Sequence, residues 1–355
     1  MSIEKLLDDP LNFWLGGGGP QGDIALSSRI RLARNLDGIP FPNQARAAEL
    51  AQVVEQIRKS VSSLSSVDGH SYLFIMLEQL SPLERAVLVE KHIISPLHAQ
   101  YPKDRALLIR DDAGVSIMIN EEDHLRIQCL MPGLDLTAAH ALADRIDDCL
   151  EAKHDFAFDE HLGYLTACPT NLGTGLRASV MLHLPALVLT QQIGRLVNSA
   201  TQLGMAVRGL YGEGTEAVGN VFQVSNQLTL GASEEEIIGN LYSVVSQIID
   251  QERTARQLLL ENSRDALIDR VWRSYGVLRY AYSISGNEAL AMLSEVRLGI
   301  DLNIITDTKP EIFNELLVRT RPNFLQKMAG QRDLDEASRD RLRAQIIRDK
   351  LQGGK

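Results

Sequence analysis

The run Ile119-Asn120-Glu121-Glu122-Asp123-His124-Leu125-Arg126-Ile127 lies between two apolar stretches, Val115–Ile119 and Leu125–Leu130. Short apolar runs bounded by a polar segment read as strand, loop, strand. Four ionisable residues in a row between buried strands are costly unless they face a cleft. The loop is therefore expected to open onto a functional site.

Working outward, further strands are expected at Tyr72–Leu77 and Ala106–Ile109 before the loop, and at Tyr164–Ala167, Ala178–Leu184, Met205–Leu210 and Val221–Ser225 after it. Within Ile24–Asn35, apolar Ile24, Leu26, Ile30 and Leu32 are interspersed with Ser28, Arg29 and Arg31, which predicts a strand presenting both arginines on one face. Helical periodicity marks residues 45–66, 82–98 (with Pro82 in the first turn), 187–203, and a helix from Asp135 or Thr137 to about Lys153. Gly16–Gly19 matches neither a dinucleotide fingerprint nor a P-loop, so a structural or lid role is expected there. After about Leu230 the pattern changes. Ser233…Glu236 is a capping box opening a long amphipathic helix, further boxes stand at Ser285…Glu288, Thr308…Glu311 and Asp333…Glu336, and only helices are expected from 255 onward. The expected fold class is α+β: a mainly antiparallel sheet flanked by helices over residues 1–255, then an all-helical unit over 256–355, joined somewhere in 232–262.

A chain of 355 residues with 45% hydrophobic and 23% charged residues has the composition of a globular protein. No apolar run approaches the roughly 18 residues of a membrane span, and the acidic N-terminus has no basic segment before an apolar core. Three cysteines, Cys129, Cys149 and Cys168, fit a reducing compartment, so a cytoplasmic location is expected. A net charge of -10 argues against general nucleic-acid binding and makes local arginine clusters more informative.

Arg29, Arg31, Arg126, Arg177 and Arg208 all fall in or beside expected strands. Guanidinium forks bind phosphate oxygens bidentately, so an enzyme without a P-loop can hold a nucleoside triphosphate this way, with Mg²⁺ carried on the phosphates and no protein metal site. Two carboxylates stand apart from the rest: Glu122 in the opening loop, and Glu213 flanked by Gly212 and Gly214, where the backbone can bend a side chain into a cleft. Cys168 precedes Pro169, which fixes the local backbone. Positive charge around a cysteine favours its thiolate.

Ser28-Arg-Ile-Arg31, Asn120 to Arg126, Cys168-Pro-Thr-Asn171, Gly173 to Ser179 and Arg208-Gly-Leu-Tyr-Gly-Glu213 together resemble the phosphagen (guanidino) kinases, in that family's order and over roughly residues 25–230. The resemblance implies that Arg29, Arg31, Arg126, Arg177 and Arg208 grip ATP, that Glu122 and Glu213 hold the substrate guanidinium, and that Cys168 lies against it. With Ser28 so near the start of the sequence, the helical N-terminal domain of that family is not expected here, and a helical extension containing Arg339-Asp340-Arg341-Leu342-Arg343-Ala344 is expected instead. Both departures resemble the bacterial protein-arginine kinases. That likeness implies phosphorylation of arginine in proteins, delivery of the products to a Clp unfoldase and protease, control of a heat-shock repressor, and an allosteric phosphoarginine site at Arg339, Asp340 and Arg343. An activator protein and a homodimer are expected partners. The competing readings are a kinase of free arginine or another small guanidine, and a phosphoarginine-binding adaptor.

Overall fold

The computed structural model describes residues 3–10, 12–210, 217–330 and 333–352. Among them the strands are β1 (Ala25–Arg34), β2 (Tyr72–Met76), β3 (Ala106–Arg110), β4 (Val115–Ile119), β5 (Leu125–Pro132), β6 (Phe158–Asp159), β7 (Gly163–Tyr164), β8 (Leu176–His183), β9 (Met205–Gly209) and β10 (Val221–Asn226). The helices are α1 (Ile3–Asp8), α2 (Ala47–Arg58), α3 (Val61–Asp68), α4 (Pro82–Glu90), α5 (Pro96–Gln100), α6 (Leu136–Glu151), α7 (Pro185–Leu189), α8 (Ile193–Gln202), α9 (Glu234–Asn262), α10 (Arg264–Tyr280), α11 (Gly286–Asp301), α12 (Glu311–Arg319), α13 (Pro322–Met328) and α14 (Glu336–Gln352). Eight strands form one sheet in the order β2-β3-β4-β5-β1-β8-β10-β9, and every neighbouring pair is antiparallel.

Because side chains alternate along a strand, each strand gives one set of residues to each face. Ile30 and Leu32 of β1, Ile127 of β5, Ala178 and Val180 of β8 and Val224 of β10 bury one face beneath α6 and α9, whose Leu142, Ile146, Leu241 and Val245 join the same core. The opposite face splits in two. Leu26, Leu130, Met181 and Val221 pack into a second core with Leu88 of α4, Leu293 of α11, Phe313 of α12 and Phe324 of α13. Beyond that apolar patch the same face turns polar and carries the arginines. The C-terminal helices thus cover part of the surface on which the candidate site is built.

Several elements differ from expectation. The helix expected over 45–66 is two, α2 and α3, separated at Ser60, whose buried hydroxyl meets His154 Nε2 at 2.8 Å. The one expected over 82–98 ends at Glu90; His92 takes φ 57° and Pro96 starts α5 instead of continuing α4. The one expected over 187–203 breaks at Gln191, φ 58°, between α7 and α8. Of Tyr164–Ala167 only Tyr164 belongs to a strand, the two-residue β7. Ser233 caps α9 as a capping box and Ser285 caps α11 through the Glu288 amide, but the expected box at Thr308…Glu311 does not form, because the N-cap of α12 is Pro310 and Glu311 is its first residue. At α14 the first turn is capped by Asp335, which accepts from Ser338 N at 2.8 Å, and not by Asp333.

Gly16–Gly19 is a buttress. A Cβ on Gly19 would lie 2.1 Å from the Pro132 carbonyl oxygen, and one on Gly133 would lie 2.3 Å from that of Pro20. Two backbone segments therefore cross at a separation only glycine permits, pinning the N-terminal segment to the end of β5. Among the described residues no helix is long and apolar enough to cross a membrane.

Candidate active site

The β4–β5 loop sorts its four ionisable side chains by partner. Asn120 enters the left-handed region at φ 61°, and its amide donates to the carbonyls of Leu50 and Asp104 at 2.9 and 2.8 Å, fixing the loop's start. Glu121 is buried, accepts from Ser95 Oγ at 2.5 Å and pairs with Arg126 Nη1 at 3.2 Å. Asp123 is buried and accepts from Asn35 Nδ2 and Ala167 N, both at 2.7 Å. His124 is buried, with Nδ1 accepting from Leu36 N at 3.1 Å and Nε2 facing Pro40 O at 3.0 Å, and burial lowers its pKa to about 4. That leaves Glu122 as the exposed member of the loop. Partial desolvation and the neighbouring charges of Asp123 and Glu121 raise its pKa above the usual carboxylate value, opposed by Arg126 and by a hydrogen bond with Cys168.

The strand register gathers the arginines. Arg31 lies opposite Arg177 across β1 and β8, and Arg29 opposite Ser179. Arg126 lies opposite Ala33 across β5 and β1, and Arg208 opposite Gln223 across β9 and β10. Alternation puts all five on the face opposite Ile30, Ile127, Ala178, Val207 and Val224. Arg29 donates to Ser179 Oγ at 3.2 Å and to Gln223 Oε1 at 2.7 Å, while Arg31 Nε is buried without a hydrogen-bond partner among the described residues. Burial, then the charges of Arg126 and Arg177, depress Arg29 to about 9. Arg31 is lowered well below the usual arginine range by burial, then by Arg29, Arg126 and Arg177. Burial and the charges of Arg208 and Arg126 lower Arg177, against an opposing pull from Cys168 and Glu122.

A cleft of about 140 Å³ is lined by Arg31, Arg126 and Arg177 on the sheet side and by Glu121, Glu122 and Asn171 around it. Cys168 is partly buried, with Sγ 3.1 Å from Thr170 Oγ1, and is linked to the cleft by its hydrogen bond with Glu122. Glu213 lies outside the described residues. Arg339, Asp340 and Arg343 stand together on α14, far along the chain from this cleft. Arg343 is buried and donates to Thr320 O at 3.0 Å, to Ile284 O at 2.9 Å, and to Asp340. Ser95, Ser179 and Gln223 support the charged groups here without having been singled out from the sequence. The one available signal was the polar Gln223 alternating with Phe222 and Val224.

A crowded, partly buried set of guanidinium groups, with Glu121 as the single ion-paired acid among them in the described residues, calls for an anion, and together with the exposed carboxylate of Glu122 this defines a phosphotransferase-type site. The model of the ATP:guanido phosphotransferase C-terminal catalytic domain matches residues 52–255, and that of the protein-arginine kinase McsB C-terminal domain matches residues 264–355. The protein-arginine kinase of Brevibacillus brevis is 52% identical over 351 residues, covering 99% of this chain and 98% of its own. That of Moorella thermoacetica is 54% identical over 341 residues, covering 96% and 97%. Among solved structures, a lombricine kinase aligns with a TM-score of 0.57 at 27% identity over 67% of this chain and 68% of its own. The duplicated taurocyamine kinase of Schistosoma mansoni, bound to components of a transition-state analogue, aligns with a TM-score of 0.59 at 26% identity over 71% of this chain and 37% of its own. The chain belongs to the protein-arginine kinase family, the branch of the ATP:guanido phosphotransferases that carries the McsB C-terminal domain.

Proposed function

We propose that this protein transfers the terminal phosphoryl group of ATP to arginine side chains of other proteins. The observation that carries the reading is the arginine face: Arg29, Arg31, Arg126, Arg177 and Arg208 share one side of the sheet, and burial together with the charges of their arginine neighbours lowers the pKa of Arg29, Arg31 and Arg177, a state that a polyanion relieves. The orphan Nε of Arg31 fits a phosphate oxygen. ATP, with Mg²⁺ on its phosphates, supplies the activated phosphoryl group.

The chain's own groups then position the acceptor. Arginine keeps its proton up to a pKa of about 12 or higher, so the fork must be fixed and one proton removed. Glu122 is exposed in the same cleft as Arg126 and Arg177, which suits it to grip a guanidinium by charge-assisted hydrogen bonds. Its raised pKa brings it nearer the range in which a carboxylate accepts a proton effectively at neutral pH. The resemblance gives Glu213 the second grip and places Cys168, hydrogen-bonded to Glu122, against the guanidinium. Catalysis is assigned to residues 1–255, and phosphoarginine binding at Arg339, Asp340 and Arg343, with substrate and dimer contacts, to 256–355. Exposed Trp272, Tyr280 and Tyr282 give the dimer its structural support. Clp-dependent degradation, control of a heat-shock repressor and an activator protein follow from the resemblance, and a cytoplasmic location from the sparse cysteines.

The test is mass spectrometry of an unfolded protein incubated with this enzyme and Mg·ATP, handled without acid because P–N bonds are acid-labile. Phosphorylated arginine in the protein is the expected result. Phosphorylation of free arginine alone would establish the small-guanidine kinase instead.

A further inference from the structure

Resting on the reading of the arginine face as the nucleotide site, we propose that the C-terminal helices contribute a further arginine to that site, Arg321, and that Arg343 sets where Arg321 stands. A second cavity, of about 380 Å³, shares Arg126 with the cleft beside Glu122. Its lining includes Arg29 and Gln128 from the sheet, His92 from the turn after α4, and Arg321 from the junction of α12 and α13. A polyanion reaching from the cleft into this cavity meets Arg29 and Arg126 from the sheet and Arg321 from the helical wall. Arg321 already acts electrostatically on the cavity: after burial, the charges of Arg29 and Arg321 hold His92 down to about 3.

The backbone around Arg321 is fixed from both sides. Thr320 is buried; its hydroxyl donates to Leu316 O at 2.6 Å, and its carbonyl accepts from Arg343 Nε at 3.0 Å. On the other side, Glu90 of α4 accepts from Asn323 N at 3.0 Å, from Asn323 Nδ2 at 2.7 Å and from Phe324 N at 2.9 Å. Arg321 is the N-cap of α13, with extended backbone at φ -72° and ψ 146°, between these two clamps. One clamp belongs to the catalytic unit and the other to the Arg-Asp-x-x-Arg-Ala segment of α14. An anion that draws the Arg343 guanidinium off the Thr320 carbonyl therefore loosens the residue next to Arg321. This is a contact route of one residue between the tail motif and the nucleotide cavity.

The experiment is calorimetric titration of the full-length protein with Mg·ADP, beside steady-state kinetics. Arg321→Ala is expected to weaken Mg·ADP binding about tenfold, the loss of one charge-assisted contact. The KM for ATP should rise in step, the melting temperature without nucleotide should stay unchanged, and Arg321→Lys should recover part of the affinity. Arg343→Lys keeps the charge but loses the fork. It should weaken Mg·ADP binding in the parent and have no further effect beside Arg321→Ala. Asp340→Asn, which removes the charge holding Arg343, serves the same purpose should Arg343→Lys not fold. Parent-like Mg·ADP affinity in Arg321→Ala overturns the proposal, as does a loss matched by a lowered melting temperature that Arg321→Lys fails to restore. Equal losses from Arg343→Lys in both backgrounds, or none in either, overturn the positioning role. A parent protein that binds no Mg·ADP would instead remove the arginine-face reading itself.

Discussion

Replacing Glu122 by Gln tests the central chemistry, because the structure separates this acid from its neighbours. Glu121 is tied to Ser95 and Arg126, and Asp123 to Asn35 and Ala167, so neither carboxylate is available to an incoming guanidinium. Glu122 is, and the substitution removes its charge, one acceptor oxygen and its ability to take a proton. Charge-assisted hydrogen bonds contribute about 1.5–3 kcal/mol each, and a positioned general base contributes about 10²–10⁴ in rate. A fall in kcat of at least about a hundredfold is therefore expected. Affinity for Mg·ATP should hold or improve slightly, because Glu122 touches the arginine face only through long-range charge. The pH profile offers a second readout. Burial and acidic neighbours raise the Glu122 pKa, so activity should fall, as pH drops, through a value above the ordinary carboxylate range. That limb should disappear in the glutamine variant. The assay is acid-free quantification of phosphoarginine on an unfolded protein, with nucleotide affinity measured in parallel. Parent-like turnover, or a loss of activity that tracks a loss of ATP binding, would refute the assignment.

Four further outcomes are expected. Glu121→Gln should weaken Mg·ATP binding more than it reduces turnover, since it removes the one acid that pairs Arg126 among the described residues, and a titration with nucleotide checks this. Asp147→Ala strands the guanidinium of Arg34, which is held at 2.6 Å by a pair whose side chains are 2% and 9% exposed. It should cost about 3–5 kcal/mol in urea unfolding. Gly19→Ala forces a Cβ into the Pro132 backbone and should destabilise by about 2 kcal/mol or more in the same assay. His140 Nε2 lies 2.6 Å from Glu234 Oε2, and that pair raises the histidine's pKa above 6.5. The stabilisation, at most about 1 kcal/mol, is fully present below the unfolded pKa and lost as pH rises through the raised one. The difference in melting temperature between parent and His140→Gln should therefore be largest in mild acid and vanish at alkaline pH.

The β4–β5 hairpin, the arginine-bearing strand β1 and the capped start of α9 were legible because each depends on neighbours within about ten residues: period-two alternation, or a serine three residues before a glutamate. Helix interruptions were less legible. Periodicity continues across Ser60, His92 and Gln191, where a buried side chain or a left-handed backbone turns the chain.

By itself, the sequence determined which residue types were available: five arginines in strand contexts, a run of acids between apolar strands, and a helical tail with its own charged motif. Within Glu121-Glu122-Asp123-His124 the family resemblance singled out Glu122, but residue type and spacing gave no reason for that choice, because four adjacent polar residues differ only in what comes to meet them. Ser95, Asn35, Ala167, Leu36 and Pro40 arrive from elsewhere in the chain and occupy three of the four, leaving Glu122 to the cleft. Tertiary structure also decided that arginines from position 29 to position 208 share one face of the sheet. It laid the C-terminal helices over that same face as well. Register and layer packing are sums of long-range contacts, and no local window of sequence contains them.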